Sequence, residues 1–452
     1  MVTLTPQQVS AVKAVGTWYR NTSSYMDIGA DKFWLGGYAG SGKSTIMPDM
    51  IEELGVTPDQ IAFCAPTGKA AMVMGNKLKA QGIMSVPSTI HKLIYRPGRE
   101  KVDTLQNKLD ALKTERDKVA QGLHENYGNE AVNVDSAKLK ELNKSIDIVE
   151  RDLDKAYSNP ECPGFQLNVD SNLRQKRLIV VDEASMVGTS IAEDLSFFNV
   201  PILAIGDPGQ LPPVGDTPGL TVGEPDFFLS EIHRQAKDNP IIWLATLARN
   251  GEPLPLGNHG GLVHVVGRRN DRATLDIDRD LKVICGTNKK RWRLTSKIRN
   301  LMGLSGMGPC EGEPLIMCRN SRVESRMELV NGLELECAHD IGKMVDGTTS
   351  FLLKTIDPES GNKYTLPVVQ SIFEEHRFQE RNASTADKIE TYNAKRVAEH
   401  VDWGHVITCH KSQGSQWDEV VVHDESGAFR DESAQWLYTA ITRAAQRLTV
   451  VV

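Results

Sequence analysis

The stretch Gly37-Tyr-Ala-Gly-Ser-Gly-Lys-Ser44 leaves this chain little choice of local fold. Its spacing, G-x-x-x-x-G-K-[ST], works between the end of a buried strand and the start of a helix. Phe33-Trp-Leu-Gly36 supplies the apolar strand before it, and Thr45-Ile-Met47 can open the helix after it. Glycines let successive N–H groups turn inward around an anion, and the helix N-terminus adds a favourable dipole. On this reading Gly37, Gly40, Ser41, Gly42, Lys43, Ser44 and Thr45 hold the phosphates of ATP. Lys43 reaches the β- and γ-phosphates and Ser44 ligates Mg²⁺. The alternative is a glycine-rich turn with a surface lysine.

The 452 residues have room for roughly two to four domains. A net charge of −7 gives no global basic field, so any nucleic-acid binding must come from a local groove. The seven cysteines include no C-x-x-C pair, which argues against zinc and for a reducing compartment. No signal peptide and no membrane-spanning apolar run is evident, so a cytoplasmic protein of a bacterial or phage-infected cell is expected, with no membrane partner.

Short apolar, β-branched runs recur at 61–65, 178–182, 202–206, 282–286, 405–408, 420–422 and 448–452. Such runs suit strands buried on both faces of parallel sheets, and the pattern repeats on both sides of the chain's middle. The fold class expected is α/β, with two stacked parallel-sheet domains. Two segments break the pattern. Between Arg99 and Ser158, Leu105, Leu109, Leu112, Arg116, Val119 and Leu123, then Leu139, Leu142, Ile146, Val149, Leu153 and Ala156, step by three and four. A turn at Asn126-Tyr-Gly-Asn129 makes this an antiparallel helical hairpin with arms about 30 Å long. Residues 101–157 carry 10 Lys/Arg against 12 Asp/Glu, a poor main surface for DNA. The hairpin reads as a strut, a partner-docking arm, or a wedge tipped by Tyr127. Between Glu311 and Glu399, β-like pieces at 315–318, 333–337, 351–355 and 364–369 alternate with Asn331-Gly332, Asp346-Gly347 and Ser360-Gly361 turns. This predicts a small inserted β-barrel, followed by a helix over 383–399.

Asp182-Glu183 ends an apolar strand. Asp182 there would hold Mg²⁺, and Glu183 would orient and deprotonate an attacking water. The loop Gly206-Asp-Pro-Gly-Gln-Leu-Pro-Pro-Val214 follows another strand and brings Gln210 towards the same crevice.

In order, these segments resemble the motifs of superfamily 1 helicases. Gln8 resembles the adenine-reading Q motif. Ala65-Pro-Thr-Gly-Lys-Ala-Ala71 resembles motif Ia, and Ser88-Thr-Ile-His-Lys-Leu93 motif Ib. Asp182–Met186 is similar to motif II and 206–214 to motif III. Glu231-Ile-His-Arg234 resembles motif IV, Thr408-Cys-His-Lys-Ser-Gln-Gly-Ser415 motif V, and Tyr438-Thr-Ala-Ile-Thr-Arg443 motif VI. The wording is that of the RecD-like and Dda-like branch, superfamily 1B. The resemblance implies RecA-like domains over 1–95 with 173–215 and over 216–310 with 400–452. The insertions are then the helical hairpin at 96–172 and an SH3-like β-barrel at 311–399. It also implies 5′→3′ translocation on single-stranded DNA, forked duplex as substrate, a monomer, and work in DNA replication, recombination or repair. Arg234 and Arg443 would meet the γ-phosphate when the two domains close, and Gly414 would also contact the nucleotide. DNA would cross the strand ends at Pro66, Thr67, Thr89, His91, Asn288, Thr408, His410 and Lys411. Trp417 reads as core. Relatives carry a β-hairpin pin between motifs Ib and II, where this chain has its long helical segment; Phe165 is a second pin candidate. Two rivals remain: an RNA helicase of the same superfamily, and an ATP-switched assembly factor that docks a protein through 101–157.

Overall fold

A computed structural model describes residues 4–23, 31–97, 107–116, 118–119, 138–146, 148–149, 165–231, 239–267, 281–304, 308–318, 321–323, 327–339, 350–369, 373 and 401–452. The chain forms two compact units, Met1–Ile90 with Leu173–Val452, and His91–Asn172.

In the larger unit, the first sheet uses β1 (Lys32–Gly37), β2 (Ile61–Ala65) and β3 (Ser88–Thr89). Two short strands of the smaller unit follow, β4 (Tyr95–Pro97) and β5 (Phe165–Leu167). The first sheet resumes with β6 (Leu178–Val181), β7 (Ile202–Gly206) and β8 (Phe227–Leu229). Its order is β3-β2-β6-β7-β1-β8, every pair parallel. The central strands are buried along their length, as unbroken apolar runs require. Helices Pro6–Ser23 and Met47–Leu54 cover one face, joining Val15, Met50 and Leu54 to Leu35 and Leu203 in one core.

A second sheet is built from β9 (Gly257–His259), β10 (Val263–Val266) and β11 (Lys282–Cys285), then from chain that returns much later. Between lie β12 (Pro314–Met317), β13 (Ser321–Val323), β14 (Met327–Leu329), β15 (Glu334–Cys337), β16 (Ser350–Ile356), β17 (Lys363–Val369) and β18 (Val401–Trp403). After them β19 (Val406–Thr408), β20 (Trp417–His423) and β21 (Ala444–Val451) complete the second sheet in the order β19-β11-β20-β21-β10-β9. Only its edge strand β9 runs antiparallel. The α/β expectation holds in both sheets.

The inserted strands form a separate five-stranded antiparallel sheet, β17-β16-β15-β12-β18. It sits on the second sheet through Glu334, whose carboxylate accepts from Lys282 Nζ at 2.8 Å and from Trp417 Nε1 at 2.7 Å. Burial alone would raise the Glu334 carboxyl, but the Lys282 ammonium and its hydrogen bond outweigh it and hold the group low. Trp417 is therefore packed and bonded at this seam. The same sheet also touches the first parallel-sheet layer: Lys69 pairs with Glu359 at 2.7 Å, and Met72 packs on its core. The helix expected over 383–399 lies outside the described residues.

In the smaller unit, residues 107–116 and 138–146 are helical, as the heptad spacing predicts. Leu109 packs with Ile146 and Val149, and Glu115 faces Lys138 at 3.3 Å, so the two segments run antiparallel. The expected turn at 126–129 and Tyr127 lie outside the described residues. Outside the segment read as helical, β4 and β5 pair antiparallel, with Pro97 opposite Phe165, a pairing that the sequence reading did not include.

Gly68 begins the helix Gly68–Ala80 directly under Val330, where an added Cβ would lie 2.4 Å from the valine Cβ. Gly68→Ala should therefore lower the melting temperature by the equivalent of about 1–3 kcal/mol of overpacking. Adding Val330→Ala should recover much of that loss; equal melting of wild type and Gly68→Ala would refute the contact.

Candidate nucleotide-binding site

The phosphate-binding loop leaves β1 with two residues in the left-handed region, Gly40 at φ 79° and Gly42 at φ 80°. Gly37 admits the Ser41 side chain, since a Cβ would stand 2.6 Å from Ser41 Oγ. The helix expected from Thr45 starts later, at Met47, with Pro48 in its first turn; residues 43–46 form turns, closed by Thr45 N–H donating to Gly42 at 3.0 Å. Proline at the second helical position suits that later start, because its missing N–H would be unpaired there anyway. Lys43 Nζ donates to the carbonyls of Gly37 and, at 3.1 Å, Tyr38. These are neutral partners, so a phosphate oxygen would compete well for the ammonium. Gln8 is buried, caps its own helix through Thr5, and donates from Nε2 to the Ser41 carbonyl at 3.4 Å.

On the neighbouring strand end, Asp182 Oδ1 accepts the Glu183 N–H at 3.0 Å. Glu183 itself sits at φ 53°, an uncommon region for a side chain of its size and one often found at functional sites. Its carboxyl is pushed up, first by burial and then by the charges of Asp182 and Asp207, while Arg443 and Lys43 pull it down. Ser44 and Asp182 line one small cavity with Met47, Met74, Leu78 and Ile205. Ser44 and Asp182 thus both border this cavity, and a hydroxyl with a carboxylate is a donor set that suits Mg²⁺, which takes few protein ligands and keeps waters. Gln81 steadies this corner by donating to the Ser44 carbonyl at 3.0 Å.

The second sheet contributes the opposite wall. Helix Ser433–Ile441 leads into Arg443, which is 6% exposed. Its guanidinium donates to Thr439 O at 3.0 Å, Ser415 O at 3.1 Å and Thr442 Oγ1 at 3.2 Å, and forms no ion pair among the described residues. Neutral oxygens thus hold its shape, and its charge acts on Glu183. Gln210 is buried, and its Oε1 has no hydrogen-bond partner among the described residues. The two walls are bonded together: Gln413 Nε2 donates to Leu211 O, and Leu211 N–H donates to Thr439 Oγ1, both at 3.0 Å. Gly414, left-handed at φ 73°, packs on Ala70. Arg234 lies outside the described residues.

The expected DNA contacts sit at strand ends and helix starts. Pro66 and Thr67 follow β2, and Thr67 Oγ1 caps the next helix by accepting Ala70 N–H at 3.1 Å. Thr89 ends β3. Asn288 opens the helix Asn288–Leu301 and is exposed. Thr408 ends β19; His410 is half-buried with its ring 5.6 Å from Phe429, and Lys411 reaches Cys318 at 3.2 Å. Burial lowers the His410 imidazole below its usual value, which favours a neutral ring. His91 belongs to the smaller unit, on helix Ile90–Ile94. Sequence reasoning missed Gln81, Tyr438, Asp207 and Arg249. Tyr438 and Asp207 lay inside quoted motifs, but nothing in their spacing marks them as partners.

A phosphate-binding loop on one parallel sheet, an acidic pair beside it and a buried arginine from a second sheet are arranged as in a P-loop nucleotide-binding fold with two RecA-like layers. An AAA-domain model matches residues 24–216, and a UvrD-like helicase C-terminal domain model matches residues 404–451. The ATP-dependent RecD2 DNA helicase of Deinococcus radiodurans is 24% identical over 433 residues, 91% of this chain and 46% of that protein. An uncharacterised protein of Methanocaldococcus jannaschii is 45% identical over 65 residues, 14% of this chain and 5% of that protein. The chain spans less than half the length of the curated relatives it matches. Of solved structures, the Pif1 helicase from Candida albicans is similar at 18% identity and a TM-score of 0.48, over 100% of this chain and 94% of that one. The chain is thus similar to RecD-like helicases along most of its length, with the AAA-domain match on the first sheet and the UvrD-like match on the second.

The raised Glu183 carboxyl has consequences of opposite sign for activity and stability. A buried acid with a raised pKa loses stability as pH climbs from its unfolded value through its folded one. Glu183→Gln should therefore raise the melting temperature at neutral pH while lowering ATP turnover by about 100-fold or more. Wild-type turnover should also fall on the acid side at a pH above the ordinary carboxylate range. A Glu183→Gln protein that melts lower and turns over normally would refute both points.

Proposed function

We propose that the chain is a DNA-stimulated ATPase that moves 5′→3′ along single-stranded DNA and unwinds forked duplex. The observation that carries this reading is the convergence on Glu183: Asp182 and Lys43 from the first sheet and Arg443 from the second all act on its charge. Mg²⁺ held at Ser44 and Asp182 would neutralise phosphate charge and fix the β- and γ-oxygens. Glu183 takes the proton of the attacking water. Lys43 and Arg443 meet the charge that spreads over the γ-phosphate oxygens as the bond breaks, with Gln210 as a polar contact and Arg234 as a second cation. Gln8 reads the adenine edge, and Gly414 stands on the nucleotide side of its loop. Because Arg443 and Lys43 come from different layers, ATP favours their closure and hydrolysis releases it, which makes a stroke.

DNA then runs over Pro66, Thr67, Thr89 and His91 and on to Asn288, Thr408, His410 and Lys411, held by short polar groups that read backbone, not sequence. The 5′→3′ direction rests on the resemblance to the RecD-like and Dda-like branch. The same reading keeps the four-part domain division, the SH3-like identity of the antiparallel sheet, the hairpin as strand separator or partner-docking arm, and a monomeric motor.

The test is unwinding of duplexes carrying either a 5′ or a 3′ single-stranded tail, with ATP and Mg²⁺. Opening of the 5′-tailed substrate alone is expected; opening of the 3′-tailed one alone would overturn the polarity. Failure of both, with ATPase still stimulated by single strands, would favour the protein-docking alternative, and stronger stimulation by RNA would favour an RNA motor. Lys43→Ala should reduce turnover by about 100-fold or more on either strand; ordinary turnover would overturn the site.

A further inference from the structure

We propose that Tyr438 is a positioning residue that ties the phosphate-binding loop to the Asp207–Pro213 loop, and through it to the DNA-facing segment 408–414. The inference rests on the ATPase reading above. Tyr438 is 2% exposed, and its hydroxyl makes two bonds to two different loops. It accepts the Ala39 N–H at 2.8 Å and donates to Asp207 Oδ2 at 2.7 Å. Ala39 lies inside the loop that would wrap the phosphates. Asp207 is 1% exposed, and its other oxygen accepts the Gly209 N–H at 2.9 Å. The phenol is the only link on this short path that can both accept from an amide and donate to a carboxylate. Burial, and then the charge of Asp207, push the phenol far above its usual value, so it keeps its proton at any working pH.

The ring is seated as closely as its hydroxyl. The Tyr38 ring meets it edge-on at 6.5 Å, and the Arg249 guanidinium lies 3.5 Å from the Tyr38 centroid and 5.9 Å from that of Tyr438. Gly209 leaves room for it, because a Cβ there would stand 3.0 Å from Tyr438 Cε1. The next residue on the helix extends the path. Thr439 Oγ1 accepts the Leu211 N–H, and Leu211 O accepts from Gln413, which adjoins Thr408, His410 and Lys411 in sequence. One turn of helix thus grips a nucleotide loop with one residue and the Asp207–Pro213 loop with two. A shift of Ala39 must either break a buried bond to Tyr438 or carry Asp207 with it. Leaving a buried carboxylate short of a donor is the costlier choice.

Tyr438→Phe keeps the ring, its packing and the helix, and removes both hydrogen bonds. Turnover should be measured with and without oligo-dT, together with the KM for ATP and the melting temperature. The ratio of stimulated to basal turnover should fall about tenfold, the scale of one hydrogen bond to a charged group. The KM should move far less, while the melting temperature falls modestly because Asp207 Oδ2 and the Ala39 N–H lose their partner. Thr439→Val, which breaks the following link, should lower the same ratio. An unchanged ratio in Tyr438→Phe overturns the proposal, including the case in which basal and stimulated turnover fall by the same factor. Hydrogen exchange on adding a non-hydrolysable ATP analogue with Mg²⁺ reads the same link without DNA. Wild type should gain protection at 207–213 as well as at 37–44, and Tyr438→Phe only at 37–44. Protection at 207–213 that survives in the variant overturns the proposal. Absence of DNA stimulation in wild type would instead count against the proposed function, leaving the exchange result to decide the role of Tyr438.

Discussion

The half-buried carboxyl of Glu183, whose charge both parallel sheets act on, is the constraint around which the site is arranged. Burial and the charges of Asp182 and Asp207 all act against its ionised form. Only Lys43 and Arg443 act for it, and they come from opposite walls. Three acids facing two cations leave a negative balance, which a divalent cation held by Ser44 and Asp182, as proposed, would relieve. The chain meets the remaining demand geometrically. Arg443 is fixed by three neutral oxygens, so its charge is not spent on a private acid. A guanidinium held that way is pre-organised for charge that appears only during reaction.

That arrangement depends on the two sheets meeting in one register, and the inserted antiparallel sheet helps to set it. Glu334 fastens the insertion to the second sheet through Lys282 and Trp417, and a buried Asp402–Arg291 pair at 2.8 Å adds a second anchor. On the other side Val330 presses on Gly68 at the start of the motif Ia helix. The Lys69–Glu359 pair lies beside this contact, but Glu359 is half exposed, so the ion pair contributes little by itself. Packing at Gly68, rather than charge at Lys69, makes the contact specific. The insertion therefore acts on the first sheet's layer at the helix that begins with the proposed DNA contact Thr67.

The parts of this architecture that were legible in the sequence are those written in short-range code. Unbroken apolar runs announced β2, β6 and β7 almost to the residue, because a strand buried on both faces has no alternation to blur. The loop at 37–44 was legible because its glycines are demanded by backbone angles, not by partners. The later helix start at Met47 was not, since the three residues after Ser44 satisfy helix and turn equally well until Pro48 decides. The short pair of β4 and β5 escaped for a different reason. Its strands are three residues each and separated by the whole helical segment, so no hairpin spacing advertises them.

Arg443 and Tyr438 show where legibility ends. Both come from the same motif, one residue of which is read at once and the other passed over. An arginine just past a buried helix has one chemistry to offer a phosphate, so the role proposed for Arg443 follows from its type. A tyrosine in an apolar helix has an ordinary reading as core, and its ring does sit in the core of the second sheet. What separates it from core is a hydroxyl that reaches Ala39, 399 positions away in the chain, and Asp207, 231 positions away. Pairings at such separations carry no local signal, and they are the ones that join a nucleotide loop to the layer that must respond to it. Residues proposed for chemistry can therefore be read from their types and spacing, whereas a residue proposed to link two loops, such as Tyr438, is defined only by the contacts of the folded chain.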